Sequence, residues 1–130
     1  MKEKEITVVK VEPMKEPVIA TLTNDLDHLQ KAVSIEADYQ GLIEFVYLED
    51  NVSILCNEEG KLIGLEGNRR LGNDIIVGTF YVVGEDKNGN LCSLKDSQLL
   101  FYNTMFAIPE EFSEEEIESS LFFEITDWED

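Results

Sequence analysis

Histidine, cysteine and basic residues are scarce in this 130-residue chain, which has one histidine, two cysteines and ten lysines and arginines. Nucleophilic catalysis by serine or cysteine normally needs a histidine base. His28 lies between Asp27 and Leu29 on a predicted helix surface, and no Gly-x-Ser-x-Gly turn is present. We therefore expect a protein that binds a partner and is not an enzyme.

Metal, cofactor and membrane signals are also missing. Cys56 and Cys92 lie far apart in apolar surroundings, with no Cys-x-x-Cys, so the sequence predicts neither a disulfide framework nor a zinc site. Calcium-loop and nucleotide-binding glycine patterns are absent. There is no run of about 18 apolar residues, and residues 1–5 lead into a strand-like alternation instead of a signal segment. We expect a cytoplasmic protein without metal or cofactor.

Negative charge dominates what is present. The chain has 28 acidic and 10 basic residues, a net charge of -18 at pH 7. Such a charge repels nucleic acid and anionic membranes and speeds encounter with basic surfaces, although an acidic balance also secures solubility. Residues 110–130 hold ten of the acidic residues and no basic one. We expect a basic protein partner, without direct binding to nucleic acid or membrane.

Runs of β-branched residues between turn signals predict a single α+β domain with five or six mostly antiparallel strands and two or three short helices. The helices are expected to cover one face of the sheet. The domain is predicted to span residues 1–109, with an acidic helical segment, 110–130, packed on it. The predicted strands are 5–12, 17–23, 42–48, 52–56 and 75–83, with 61–63 returning beside Ile54. The predicted helices are 25–34, 95–106 and one that begins at 114, and 64–72 is a predicted loop.

The acidic segment has the clearest local pattern. Ser113 and Glu116 have the spacing of a capping box, and Phe112 and Ile117 that of a hydrophobic staple. Apolar side chains continue at a spacing of four, which is typical of one helix face. That stripe either packs on the sheet or binds a partner, and its members are Ile117, Leu121 and Ile125.

Glycines surround two adjacent arginines between the predicted strands. Flexible backbone beside guanidinium groups can hold a phosphate or carboxylate, as in a small-ligand binder or sponge for an anionic nucleotide. Alternatively, the glycines form turns and the arginines neutralise the domain's own carboxylates. The glycines are Gly60, Gly64, Gly67 and Gly72, and the candidate ligand-binding residues are Asn68, Arg69 and Arg70.

Three short strings carry a resemblance to a known family: residues 54–62 (ILCNEEGKL), Asn68-Arg69 and residues 76–80 (IVGTF). Over about Leu26 to Phe106, the chain resembles small uncharacterised proteins of conjugative elements and phages of Gram-positive bacteria. The resemblance implies a genetic setting near antirestriction and other counter-defence genes. It carries no catalytic residue.

Charge and resemblance together lead to a first hypothesis, a counter-defence protein that binds the nucleic-acid-facing basic surface of a host restriction or CRISPR component. Carboxylates would replace phosphates there, because DNA-binding proteins gain much of their affinity from phosphate contacts. A regulator that binds another protein through the apolar stripe, without mimicry, is a further alternative. The candidate partner-binding residues are Glu110, Glu111, Glu114, Glu115, Glu116, Glu118, Phe122 and Trp128, with Glu58 and Glu59 as weaker candidates.

Overall fold

The computed structural model describes residues 3–34 and 42–127, with side chains as far as Ser120. Its described part is an α+β arrangement of eight strands and three helices, which confirms the predicted class. The strands are β1 (Glu5–Val11), β2 (Val18–Thr23), β3 (Ile43–Glu49), β4 (Val52–Asn57), β5 (Gly67–Leu71), β6 (Asp74–Val77), β7 (Phe80–Glu85) and β8 (Leu91–Cys92). The helices are α1 (Leu26–Ala32), α2 (Asp96–Met105) and α3 (Glu114–Asp127).

The main sheet has six antiparallel strands. Its order is β2-β1-β7-β4-β3, with the short β8 paired to β7, while β5 and β6 form a separate hairpin. β7 joins the β1–β2 hairpin to the β3–β4 hairpin, so strands far apart in sequence meet at the centre of the sheet.

Both faces of this sheet are buried. Val9 belongs to one apolar cluster with Leu99 and Phe106 of the α2 region, and Val8 belongs to another with Leu29 of α1. Neighbouring residues of a strand point to opposite faces, so α1 and α2 cover opposite faces. The prediction that the helices share one face is therefore wrong. The central strands carry continuous apolar runs, which is the pattern of a sheet covered on both sides.

Three further differences concern residues 61–83. The predicted strand 75–83 is two strands, β6 and β7, separated at Gly78, whose φ of 72° favours glycine. Residues 61–63 form a turn, in which the Ile63 N–H donates to the Glu59 carbonyl at 3.0 Å, and not a strand. The predicted loop 64–72 contains β5, because its polar side chains find partners inside the domain.

Two tyrosine hydroxyls form hydrogen bonds that each join a helix to a strand. The Tyr81 hydroxyl donates to the Ala32 carbonyl of α1 at 3.2 Å, and that of Tyr102 on α2 donates to the Glu49 carboxylate of β3. Burial raises the pKa of Tyr81 to about 12. Burial, together with the hydrogen bond to Glu49, also raises the pKa of Tyr102.

Alkaline pH should therefore destabilise the fold. The native state keeps both phenols neutral, whereas the unfolded chain ionises them near the ordinary pKa of 10.0. Below pH 10 the two neutral phenols make their full contribution to the free energy of unfolding. This contribution is lost as pH rises toward 12, and the part due to Tyr81 alone is roughly 2 kcal/mol. Urea unfolding at a series of pH values measures this loss, and Tyr81→Phe should reduce it. Phenolate absorbance that develops fully near pH 10 in the folded protein would contradict the prediction.

Candidate functional site

Residues 110–118, the first part of the predicted 110–130 segment and from here on called the acidic segment, pack on the β5–β6 hairpin. Gly67 of β5 makes room for this contact, since a Cβ atom there would lie 2.8 Å from Cδ2 of Phe112 and 3.2 Å from Cδ1 of Ile117. Helix α3 also contacts β6. The two staple residues therefore lie together over one glycine.

The first turn of α3 has the predicted capping box. The Glu116 N–H donates to Oγ of Ser113 at 3.1 Å, and the Ser113 N–H donates to Oε1 of Glu116 at 3.1 Å. Each side chain thus satisfies a backbone donor that the helix itself leaves free. The start of α3 is fixed by its own sequence.

Arg70 of β5 supplies the polar half of the contact. Its guanidinium donates to Oε2 of Glu116 at 3.2 Å and lies 5.4 Å from the centre of the Phe112 ring. Its backbone N–H donates to Oε2 of Glu110 at 3.1 Å. Glu110 and Glu116 are therefore engaged within the protein, as expected for an arginine that neutralises the domain's own carboxylates.

The remaining glutamates of the segment are displayed to solvent. Within the described residues, no hydrogen bond or ion pair is made by the side chains of Glu111, Glu114, Glu115 and Glu118. Glu115 borders a shallow polar groove of about 270 Å³ between α3 and the hairpin, which Arg70 and Asn73 also line. The packed segment thus carries exposed carboxylates on a fixed element.

The other predicted partner-binding residues lie elsewhere or outside the description. Glu58 is exposed and Glu59 half-buried in the turn after β4, and none of the described hydrogen bonds or ion pairs joins them to the acidic segment. Phe122 is in α3, but its side chain lies outside the described residues. The whole of Trp128 also lies outside them.

Residues 6–107 match a family described as a domain of unknown function, DUF3846. The chain belongs to the DUF3846 family. Searches of curated proteins and of solved structures return no match. The DUF3846 match includes the hairpin on which the acidic segment packs, but it ends before that segment begins. The expectation of an uncharacterised family is therefore met, and the genetic setting stays a prediction.

The glycine-arginine stretch, residues 64–72, lies inside the DUF3846 region, and its Asn68 and Arg69 are buried. Asn68 is completely buried and donates to the carbonyls of Val11 and Gly78, both at 2.8 Å. Arg69 is 1% exposed and donates to the carbonyls of Lys15, Asn68 and Phe106 and to the Asn68 side chain.

These contacts do not form the open anion site of the alternative hypothesis. The donors of Arg69 face protein carbonyls, and of the three candidate side chains only Arg70 reaches the surface. Burial lowers the pKa of Arg69, and the Glu110 carboxylate partly offsets this. Asn68 and Arg69 thus hold β5, the β1–β2 turn and the end of α2 together.

The DUF3846 region contains a second group of acidic residues that the sequence does not predict. Glu49 and Asp50 from the β3–β4 turn border one groove with Glu85 and Asp86 from the end of β7. Glu49 accepts from Tyr102, and Asp86 accepts the N–H of Asn88 and of Asn90. Their spacing in the sequence does not indicate a cluster, because the two acidic pairs come close together only where β4 lies beside β7.

Among the described residues, no three His, Cys, Asp or Glu side chains are placed to hold a metal ion. His28 is exposed and bonds to the Asp25 carboxylate at 2.8 Å, while Cys56 and Cys92 form no disulfide. No helix in residues 3–34 or 42–127 has the length and apolar character to cross a membrane.

Proposed function

We propose that this protein binds a basic, nucleic-acid-binding surface of another protein through the acidic segment, whose carboxylates take the place of phosphates. The observation that supports this is the attachment of the segment, in which Phe112, Ile117 and Arg70 hold its start while four glutamates stay exposed. A loose acidic tail would lose conformational entropy on binding. A fixed helix turn loses less, and its charges are already in place.

The spacing of the exposed carboxylates suits this role. Glu114 and Glu118 are four residues apart on α3, which corresponds to about 6 Å along a helix axis. Two carboxylates this close together can be contacted by neighbouring lysines or arginines of a basic surface.

The partner we infer is a component of a host restriction or CRISPR system in the bacterial cytoplasm. The sequence resemblance supports this choice, because it implies a mobile-element setting near counter-defence genes. The net charge of -18 supports a basic partner in general. On this proposal the protein acts by occupying a site and not by catalysis.

A charge-matched pair of variants tests the proposal. The test variant combines Glu114→Gln, Glu115→Gln and Glu118→Gln, and the control combines Glu5→Gln, Glu16→Gln and Glu66→Gln at exposed positions outside the segment. Both lose the same charge. Displacement of labelled duplex DNA from purified restriction and CRISPR nucleases should weaken roughly tenfold to hundredfold in the test variant and less than about twofold in the control. Higher salt should weaken direct binding of the unaltered protein to the nuclease, measured without DNA.

Two outcomes would count against mimicry. Equal loss in both variants would mean that only net charge matters and that the acidic segment has no special role. Direct binding to the nuclease, measured without DNA, that does not change with salt would exclude a contact made mainly through exposed carboxylates.

The two alternative functions gain less from the structure. The nucleotide sponge needs Asn68 and Arg69, whose donors face protein carbonyls. The regulator without mimicry needs the apolar stripe, whose first member, Ile117, packs over Gly67. The side chains of Leu121 and Ile125 lie outside the described residues.

A further inference from the structure

The two edges of the main sheet differ in how they are protected. Edge strands usually carry charges, bulges or other devices that prevent pairing with another chain. β3 has Glu44 and Glu49 and a register shift between Tyr47 and Glu49. β2 has the sequence VIATLT, without charge, and pairs with β1 in unbroken register. Among the described residues, no strand lies on the outer side of β2.

The surface beside the β2 edge is apolar. Ile19 of β2 is 58% exposed, and α2, which contacts β1 and β2, exposes Phe101 by 58%. Leu99 and Tyr102 point into the core, so α2 has apolar residues on both its buried and its exposed sides. The exposed apolar residues on the α2 side of this surface are Ile19, Leu100, Phe101 and Met105, whereas Val18 lies on the opposite face of β2.

β2 and most of α2 carry no charged side chain although the chain is strongly acidic. Residues 17–24, which include β2, and residues 97–109, which include most of α2, contain no charged side chain. We define the β2 surface as these two stretches. Two copies with a net charge of -18 each repel one another, so a contact between them is favourable only where no carboxylates face each other.

We propose that the β2 surface binds a second copy of this chain, with the two β2 strands paired antiparallel across a two-fold axis. A second copy brings the same unpaired edge and the same charge-free surface, as a self-complementary two-fold interface requires. The outward N–H and C=O groups of each β2 strand are satisfied by the other. With the axis perpendicular to the sheet, both α2 helices lie on one face of the continuous sheet.

The other edge supplies a matched control. Ile19 on β2 and Phe45 on β3 are both exposed apolar residues of edge strands, 58% and 46% exposed. Ile19→Glu and Phe45→Glu add the same charge to the two edges. Sedimentation equilibrium of the full chain should give twice 14.8 kDa for the unaltered protein and for Phe45→Glu. Ile19→Glu should weaken dimerisation at least about tenfold, because each copy places a carboxylate in the apolar contact.

Salt and hydrogen exchange give independent measurements. Dimerisation should strengthen as salt rises, because screening reduces the repulsion between the two copies. Amide protection in β2 should increase with protein concentration, whereas protection in β3 should not. Circular dichroism of Ile19→Glu should match the unaltered protein, which separates dissociation from unfolding.

Several outcomes would overturn the proposal. A chain that stays monomeric at high salt and high concentration has no second copy on β2, and another protein's strand would then be its occupant. A dimer that Phe45→Glu dissociates as strongly as Ile19→Glu, or that Phe45→Glu alone dissociates, does not form through β2. The experiment leaves α3 unchanged, so its result is independent of the binding proposed for the acidic segment.

Discussion

Arg69→Ala should lower the free energy of unfolding by roughly 3–5 kcal/mol. The side chain is 1% exposed and donates to three backbone carbonyls, those of Lys15, Asn68 and Phe106. Alanine leaves these buried acceptors without their donor and also creates a cavity. Urea denaturation at neutral pH measures the difference between variant and unaltered protein.

The neighbouring Arg70 is the matched control. It is exposed, and its ion pair with Glu116 lies at the surface, so Arg70→Ala should cost less than about 1 kcal/mol of global stability. Arg69→Lys should lie close to Arg69→Ala, because one ammonium group cannot reach the carbonyls that the planar guanidinium joins. If Arg69→Ala and Arg70→Ala lowered the free energy of unfolding by similar amounts, the buried hydrogen bonds of Arg69 would not stabilise the fold as proposed.

Gly67→Val should detach the acidic segment while leaving the sheet folded. The added side chain would occupy the space of Phe112 and Ile117, whose atoms already lie within 2.8 to 3.2 Å of an ideal Cβ position. Valine suits a strand, and the φ of Gly67 is not in the left-handed region, so β5 itself has no reason to break. Amide protection of residues 114–120 should fall roughly tenfold to hundredfold, and DNA displacement should weaken with it.

A shortened chain provides the control for this substitution. In a protein that ends at Pro109, the residues that clash with the added valine side chain are absent, so Gly67→Val should change the free energy of unfolding by less than about 0.5 kcal/mol. A large loss in the shortened chain would mean that the substitution damages the hairpin directly. Unchanged protection of α3 in the full chain would mean that Phe112 and Ile117 do not hold the segment.

The elements that the sequence predicts well are those whose signals are local. Ser113 and Glu116 are three residues apart, and their mutual hydrogen bonds depend on nothing else in the fold. Leu99, Tyr102 and Phe106 recur at helical spacing, and all three are buried as that spacing predicts. The β-branched runs of residues 5–12 and 17–23 likewise predict strands, and they form β1 and β2.

β5 and the burial of Asn68 and Arg69 could not be predicted, because they depend on contacts that are distant in the sequence. Asn-Arg-Arg between glycines has the composition of a surface loop, and its burial depends on carbonyls of Lys15 and Phe106 that are far away in the sequence. Gly78 divides a run of β-branched residues that otherwise reads as one strand. The four displayed glutamates were predicted as a group, but the engagement of Glu110 and Glu116 by Arg70 required the fold.

The central position of β7 has a consequence for the order in which the chain folds. β1 ends at Val11, yet its inner partner begins only at Phe80, and β4 pairs with the same late strand. During synthesis the β1–β2 and β3–β4 hairpins therefore emerge first and stay unjoined, each with one apolar edge uncovered, until β7 is made. The sheet can close only after β7 is available, and until then the partly synthesised chain exposes the unpaired edges of both hairpins, which favours aggregation.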